Sequence, residues 1–143
     1  MACFSFYPGK NLGAYGDAGA ITTNKKKYYE NLLKIRNLGG IKKYQHSIIG
    51  FNSRLDTIQA SILINKLKSL NSNNFKRKKI AQFYKKNIKN KNIQVLNYSK
   101  GCVYHQFVIL CKKEKKLIKL LTKNKIQWGK HYPKPLHKLE ATK

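Results

Sequence analysis

No run of about 18 apolar residues occurs in this chain, which excludes a transmembrane helix. The three cysteines, Cys3, Cys102 and Cys111, are odd in number and lack C-x-x-C spacing. That excludes a disulfide framework and a cysteine zinc site, and it fits a reducing cytoplasm; no metal is expected. The opening Met1 to Tyr7 is mostly apolar but short, with no positively charged lead-in and no A-x-A-like cleavage site, so no signal peptide is expected. Carboxylates are scarce. Asp17, Glu30, Asp56, Glu114 and Glu140 are the five acidic residues, against 31 lysines and arginines, and the formal net charge is +26. Arginine is scarce too: only Arg36, Arg54 and Arg77.

Such a charge invites a polyanion partner, because cations on a surface neutralise phosphates and release counterions. The arginine shortage argues against that reading, since phosphate and base recognition favour the forked guanidinium. No nucleic-acid motif accompanies the lysines, which are spread throughout. Lysine, asparagine and isoleucine are abundant together, the signature of A/T-rich codon usage. The surplus is therefore read as compositional, with a basic nucleic-acid module as the alternative.

At 143 residues the length fits one domain of modest core. Residues 1 to 17 read as strand then loop, and Ala18 to Thr23 as a short buried strand. Lys25 to Leu38 reads as a helix with Tyr28, Leu32, Leu33 and Ile35 on its apolar side, ended by Gly39-Gly40. Residues 41 to 51 read as loop with some extended structure. A long helix is predicted after Asn52-Ser53, where Ser53-x-x-Asp56 has a capping-box pattern. Leu55, Ile58, Ile62, Leu63, Leu67 and Leu70 give it helical spacing. Asn71 to Asn74 could interrupt it before Ile80, Phe83, Tyr84 and Ile88 continue. Ile93 to Leu96, Val103 to Leu110 and Ile126 to Tyr132 read as strands, and Lys112 to Lys123 as a helix. The pattern gives mixed α/β to α+β content without an internal repeat. The opening strand lacks the neighbours an apolar strand requires.

One segment suits chemistry. In Ser5-Phe-Tyr-Pro-Gly-Lys10-Asn-Leu-Gly-Ala-Tyr-Gly16 a lysine sits in a glycine-rich turn beside aromatics and a proline. Such a place can hold an amine partly desolvated, and loss of water favours the neutral, nucleophilic form of an amine. The glycines allow backbone to approach a planar ring closely. Chemistry alone does not single out Lys10 among so many lysines, and an ordinary surface-loop lysine is the plain alternative.

The string CFSFYPGKNLGAYGDAGAITTN closely resembles the cofactor-lysine segment of the DegT-type aminotransferases, fold-type I enzymes that use pyridoxal 5'-phosphate (PLP) to aminate nucleotide-linked keto-sugars. Three further blocks follow in the family's order: IIGFNSRLDTIQASIL (48–63), VYHQFVI (103–109) and WGKHYPKPLH (128–137). The resemblance implies that Lys10 is the Schiff-base lysine and also the acid/base that shuttles the proton. It makes Ser5 a ligand of the cofactor phosphate, where a plain strand serine is the alternative. It implies that Asn52 reaches the phosphate of the neighbouring subunit in a homodimer, a role compatible with a helix N-cap. Arg54 would support that site, the dimer contact or the substrate, or else pair with Asp56 or face solvent. His131 is implied as substrate-binding, with Tyr132 and His137 as weaker candidates that could simply pack around Pro133 and Pro135. Tyr7 and Tyr15 could line the pocket or belong to the core. Some relatives act as sugar dehydrases and carry histidine in place of the lysine, so Lys10 favours transamination.

The resemblance further implies a division into residues 1–54, a remnant of the PLP-binding large domain; 55–90, a long linking helix; and 91–143, an incomplete small α+β domain. Family members are much longer. The chain reads as a C-terminal-half fragment without the family's glycine-rich phosphate loop, its ring-stacking aromatic or the aspartate that pairs with the pyridinium nitrogen. Whether it is an enzyme by itself stays open at this stage. The expected function is transfer of an amino group, from glutamate, to a nucleotide-linked keto-sugar in polysaccharide biosynthesis. An inactive truncated or split-gene product is the alternative. The expected partners are a nucleotide-sugar, an amino-acid donor and a second copy of the chain, with no membrane and no nucleic acid.

Overall fold

The computed structural model describes residues 1–142. The chain forms two compact units: Met1–Phe83 with Gly101–Phe107, and Tyr84–Lys100 with Val108 onward.

The first unit opens with a two-stranded antiparallel sheet, β1 (Ala2–Ser5) and β2 (Gly19–Thr22), in the register Ala2↔Thr22 to Ser5↔Gly19. All four residues of β1 are exposed, Phe4 at 50%, and Ile21 on β2, opposite Cys3, is exposed at 49%. A sheet of two strands cannot bury a face by itself. Helix α1 spans Lys26–Ile35, with Leu32 and Leu33 half-buried and Tyr28 on the outside. Its end differs from the glycine stop that the sequence suggests. Leu38 itself takes the left-handed conformation (φ 58°), one residue before Gly39 (φ 88°), and the Gly39 N–H closes back on the Lys34 carbonyl at 2.8 Å. A left-handed residue at this point is the usual way to satisfy the last carbonyls of a helix.

Residues 47–53 cross over that helix end. Phe51 donates to the Ile35 carbonyl (2.7 Å) and accepts from the Leu38 N–H (2.9 Å), Ser53 donates to the Arg36 carbonyl (2.9 Å), and Asn52 bridges Asn37. The crossing is tight: a Cβ on Gly50 would lie 2.2 Å from the Gly39 nitrogen.

Helix α2 runs unbroken from Thr57 to Asn87, so the interruption at residues 71–74 does not occur. The Ala60 N–H bonds the Asp56 carbonyl at 3.0 Å, which puts Asp56 in the N-cap place rather than Ser53 or Asn52. The apolar stripe read from the sequence is only partly inside. Leu63 is buried, but Ile58 is 74% exposed and Leu67 55%. Positions 59, 63, 66, 70 and 74, all buried or half-buried, recur at three- and four-residue steps, and three of them are polar. Among the described residues the buried apolar side chains are Ala14, Leu63 and Ala81.

In the second unit β3 (Ile93–Val95) pairs antiparallel with β4 (Ile109–Cys111), and α3 covers Glu114–Lys123. The strand expected over Val103–Leu110 forms only at its end. Tyr104 takes a left-handed φ of 47°, which no strand accommodates. The strand expected over Ile126–Tyr132 does not form either. Lys125 (φ 56°) turns the chain, Lys125 N–H bonds the Thr122 carbonyl (3.0 Å) and Ile126 N–H that of Leu121 (2.9 Å). Those two bonds are a Schellman closure, and they spend donors that a ladder would need.

Lys130 and Glu114 form an ion pair at 2.9 Å, each about half-exposed. Water screens such a pair, so Glu114→Gln is expected to change stability by less than about 1 kcal/mol. Thermal unfolding of the two proteins side by side checks this, and a larger loss would show that the pair organises the unit.

Candidate functional site

The loop after β1 is built by short-range hydrogen bonds. Tyr7-Pro8-Gly9-Lys10 is a β-turn closed by the Lys10 N–H on the Tyr7 carbonyl at 2.8 Å. Proline in its second place supplies the φ that the turn requires. The Ser5 hydroxyl accepts from the Tyr7 N–H at 3.3 Å, joining Ser5 to the start of this turn. Phe6 donates to the Ala18 carbonyl and accepts from the Ala14 N–H, both at 2.8 Å. These bonds fold residues 6–18 back along the sheet. Gly13 is buried, and a Cβ there would lie 2.4 Å from the Pro8 oxygen, so only glycine lets the loop pass under its own turn. Lys10 is half-buried at the edge of this loop. Among the described residues its Nζ has neither a hydrogen-bond nor an ion-pair partner.

The same loop is held from outside by α2. The Tyr15 N–H donates to Gln59 Oε1 (2.8 Å), Lys66 Nζ donates to the Gly13 carbonyl (2.5 Å), and Asn11 Nδ2 donates to Asn74 Oδ1 (2.9 Å). Asn11 Nδ2 also reaches the Val103 carbonyl at 3.0 Å. Lys66 lies over the Tyr15 ring, 5.2 Å from its centroid. Tyr15 itself is 76% exposed, so it is not a core residue. The sequence reading passed over Asn11, Gln59, Lys66 and Asn74. The signal was present: polar residues in helical register with Leu63 and Leu70, where an apolar stripe was sought.

Asn52 and Arg54 lie exposed in the crossing segment, and Asn52 Oδ1 accepts from Arg54 Nε at 2.9 Å. The alternative pairing of Arg54 with Asp56 is not made; Arg54 is exposed and bonds Asn52. Helix α2 starts too late for Asn52 to cap it, and the side chain is engaged by Arg54 instead.

His131 and Tyr132 belong to the second unit. Their rings meet edge to face, centroids 5.4 Å apart, and both are exposed. Trp128 Nε1 donates to Thr122 Oγ1 (3.2 Å), and with the Lys130–Glu114 pair this ties residues 128–130 to α3. His137 lies in a short 3₁₀ turn, Leu136–Lys138, also exposed.

A glycine-rich loop bearing an unpaired lysine, followed by the crossing segment with its asparagine, matches along all of residues 1–143 the family described as DegT/DnrJ/EryC1/StrS aminotransferases. The chain belongs to this family. It is 46% identical over 156 aligned positions to the dTDP-3-amino-3,6-dideoxy-alpha-D-galactopyranose transaminase of Aneurinibacillus thermoaerophilus, with 96% of this chain and 43% of that protein covered. It superimposes on Streptomyces venezuelae DesV with a TM-score of 0.93 at 36% identity, covering 99% of this chain and 39% of the other. The NtdA protein of Bacillus subtilis, solved with bound cofactor PMP, matches with a TM-score of 0.85 at 30% identity, covering 96% and 34%. The fold is that of a C-terminal portion of fold-type I PLP aminotransferases. The chain thus spans less than half the length of these relatives.

Proposed function

We propose that this chain carries the lysine-bearing part of a PLP-dependent aminotransferase acting on a nucleotide-linked keto-sugar, with Lys10 as the residue that holds the cofactor. The observation that carries the reading is the Lys10 amine, half-buried on a turn that backbone bonds hold in place and without a partner among the described residues. The residues present fit two ends of PLP: a primary amine suits its aldehyde, and the Ser5 hydroxyl with the Asn52 amide suits its phosphate. Among the described residues Asp17 is the one carboxylate within the loop, exposed and not in the place the family's ring-nitrogen aspartate takes. Glu30 pairs with Lys26 at 3.9 Å and Glu114 with Lys130.

Bound PLP supplies an electron sink for the carbon that gains or loses the amino group. Lys10 would hold the cofactor through its amine and would serve as the acid/base that moves the proton at the carbon exchanging the amino group. Ser5 donates its hydroxyl to the phosphate. Arg54 orients the Asn52 amide through the bond at 2.9 Å, so Arg54 is a positioning residue. His131 and Tyr132 contact the sugar substrate in this reading, glutamate being the amino donor. Exposed Phe4, Ile21, Ile58 and Ile64 support association with further protein surface, a second copy of the chain above all, to which Asn52 is offered.

The test uses the chain itself with one equivalent of PLP, reduction by borohydride, and peptide mass spectrometry. A pyridoxyl-phosphate increment concentrated on the Lys10 peptide, and lost in Lys10→Ala, is expected. No increment, or one spread evenly over the other lysines, overturns the reading.

A further inference from the structure

Three polar side chains of α2 hold the loop that presents Lys10, and they do so in order. Going up the helix, Gln59 takes Tyr15, Lys66 takes Gly13 and Asn74 takes Asn11. The loop therefore runs antiparallel to the helix, tethered at every second residue. At about 100° per residue the three tethers lie within roughly 80° of one helix face, spread over about 22 Å of its length. Each tether grips a different chemical group: a backbone N–H, a backbone carbonyl and a side-chain amide. Together they fix the strip in depth and in register.

The Asn11 amide shows how strongly this arrangement is imposed. Its Nδ2 is committed to Asn74 Oδ1 and the Val103 carbonyl, while its Oδ1 is buried with no donor among the described residues. Turning the amide over would aim Oδ1 at two acceptors.

We propose that Gln59, Lys66 and Asn74, acting through Asn11, are positioning residues for Lys10. They form a polar rail on α2 that holds the Lys10 turn in register. The proposal rests on the PLP reading of Lys10. Leucines at these positions would pack the loop without fixing where it stops along the helix, because apolar contact is not directional. Hydrogen bonds fix it.

The experiment compares wild-type chain with Asn74→Ala and Gln59→Ala, and with Asn74→Asp and Gln59→Glu, which keep the acceptor oxygens. Two readouts are taken: the rate of pyridoxyl labelling at Lys10 relative to the other lysines, and amide hydrogen exchange over residues 10–16. The alanine variants are expected to lose Lys10-selective labelling roughly five- to tenfold, the size of one lost hydrogen bond. They also exchange faster over residues 10–16 while α2 stays protected, and the Asp and Glu variants behave as wild type. If wild type itself is not labelled at Lys10, the PLP reading fails while hydrogen exchange still reports on the rail. Unchanged exchange in the alanine variants, or loss of labelling in the acceptor-keeping variants, overturns the proposal.

Discussion

Gly39→Ala is expected to cost the first unit about 3 kcal/mol or more, a large part of the stability an ordinary domain has. Two effects add. The residue sits at φ 88°, where an L side chain is strained by about 1–3 kcal/mol. Its Cβ would also stand 1.7 Å from the Ile48 oxygen and 2.8 Å from the Ile48 carbonyl carbon. Both are backbone atoms, so no side chain can swing away. Relief requires residues 47–53 to lift off the end of α1, breaking the bonds from Ser47 and Ile48 to the Gly39 carbonyl (3.0 and 3.3 Å). Denaturant unfolding followed by circular dichroism measures the loss. Gly101→Ala is the control. A Cβ there meets nothing within 4 Å, and its stability should stay within about 0.5 kcal/mol of wild type. Equal midpoints for the two variants would mean that the crossing described here is not the one in solution.

Gly13→Ala is expected to remove function before it removes the fold. Its Cβ would meet the Pro8 oxygen at 2.4 Å, the Pro8 carbonyl carbon at 2.8 Å and the Tyr7 oxygen at 2.9 Å. The Tyr7 oxygen is the acceptor that closes the turn on the Lys10 N–H. The methyl group therefore pushes directly on the turn that carries the amine. A displacement near 1 Å at a reacting group costs on the order of 100-fold, and that is the fall expected in PLP labelling at Lys10. Stability should drop by about 1–3 kcal/mol, as for an overpacked site. Gly9→Ala provides the contrast. Its Cβ would meet only Tyr7 ring carbons at 3.8 Å, ordinary contact, and labelling should be kept. Wild-type labelling in Gly13→Ala would separate the turn from the chemistry.

The elements that could be read from the chain are those with strong local signals. β1 and β2, α1, α2, β3 and α3 all lie where alternation, helical spacing and turn residues put them, within a few residues. The failures share a cause. Val103–Phe107 and Ile126–Tyr132 are apolar enough for strands, but Tyr104 and Lys125 adopt left-handed angles that neither residue type advertises. The helix end at Leu38 is similar: an adjacent glycine drew the eye, while the crossing of Phe51 sets the conformation. On α2 the heptad-like count of leucines and isoleucines was real, yet the face turned inward is set by what it meets, a loop of backbone donors and acceptors. Polar side chains satisfy such a loop and apolar ones cannot.

The sequence alone determined the family, the mixed α and β content and the identity of the one lysine worth testing. It could do so because α and β content follows residue type and spacing, while the family and Lys10 follow from the resemblance of whole motifs, and all of these are written in one dimension. Only the tertiary structure decided that the Lys10 amine has no partner among the described residues, that Asn52 does not cap α2, and that Gln59, Lys66 and Asn74 grip the loop. Those are facts of distance between residues as many as 63 positions apart, and hydrogen bonding depends on distance and direction in space, not on order along the chain.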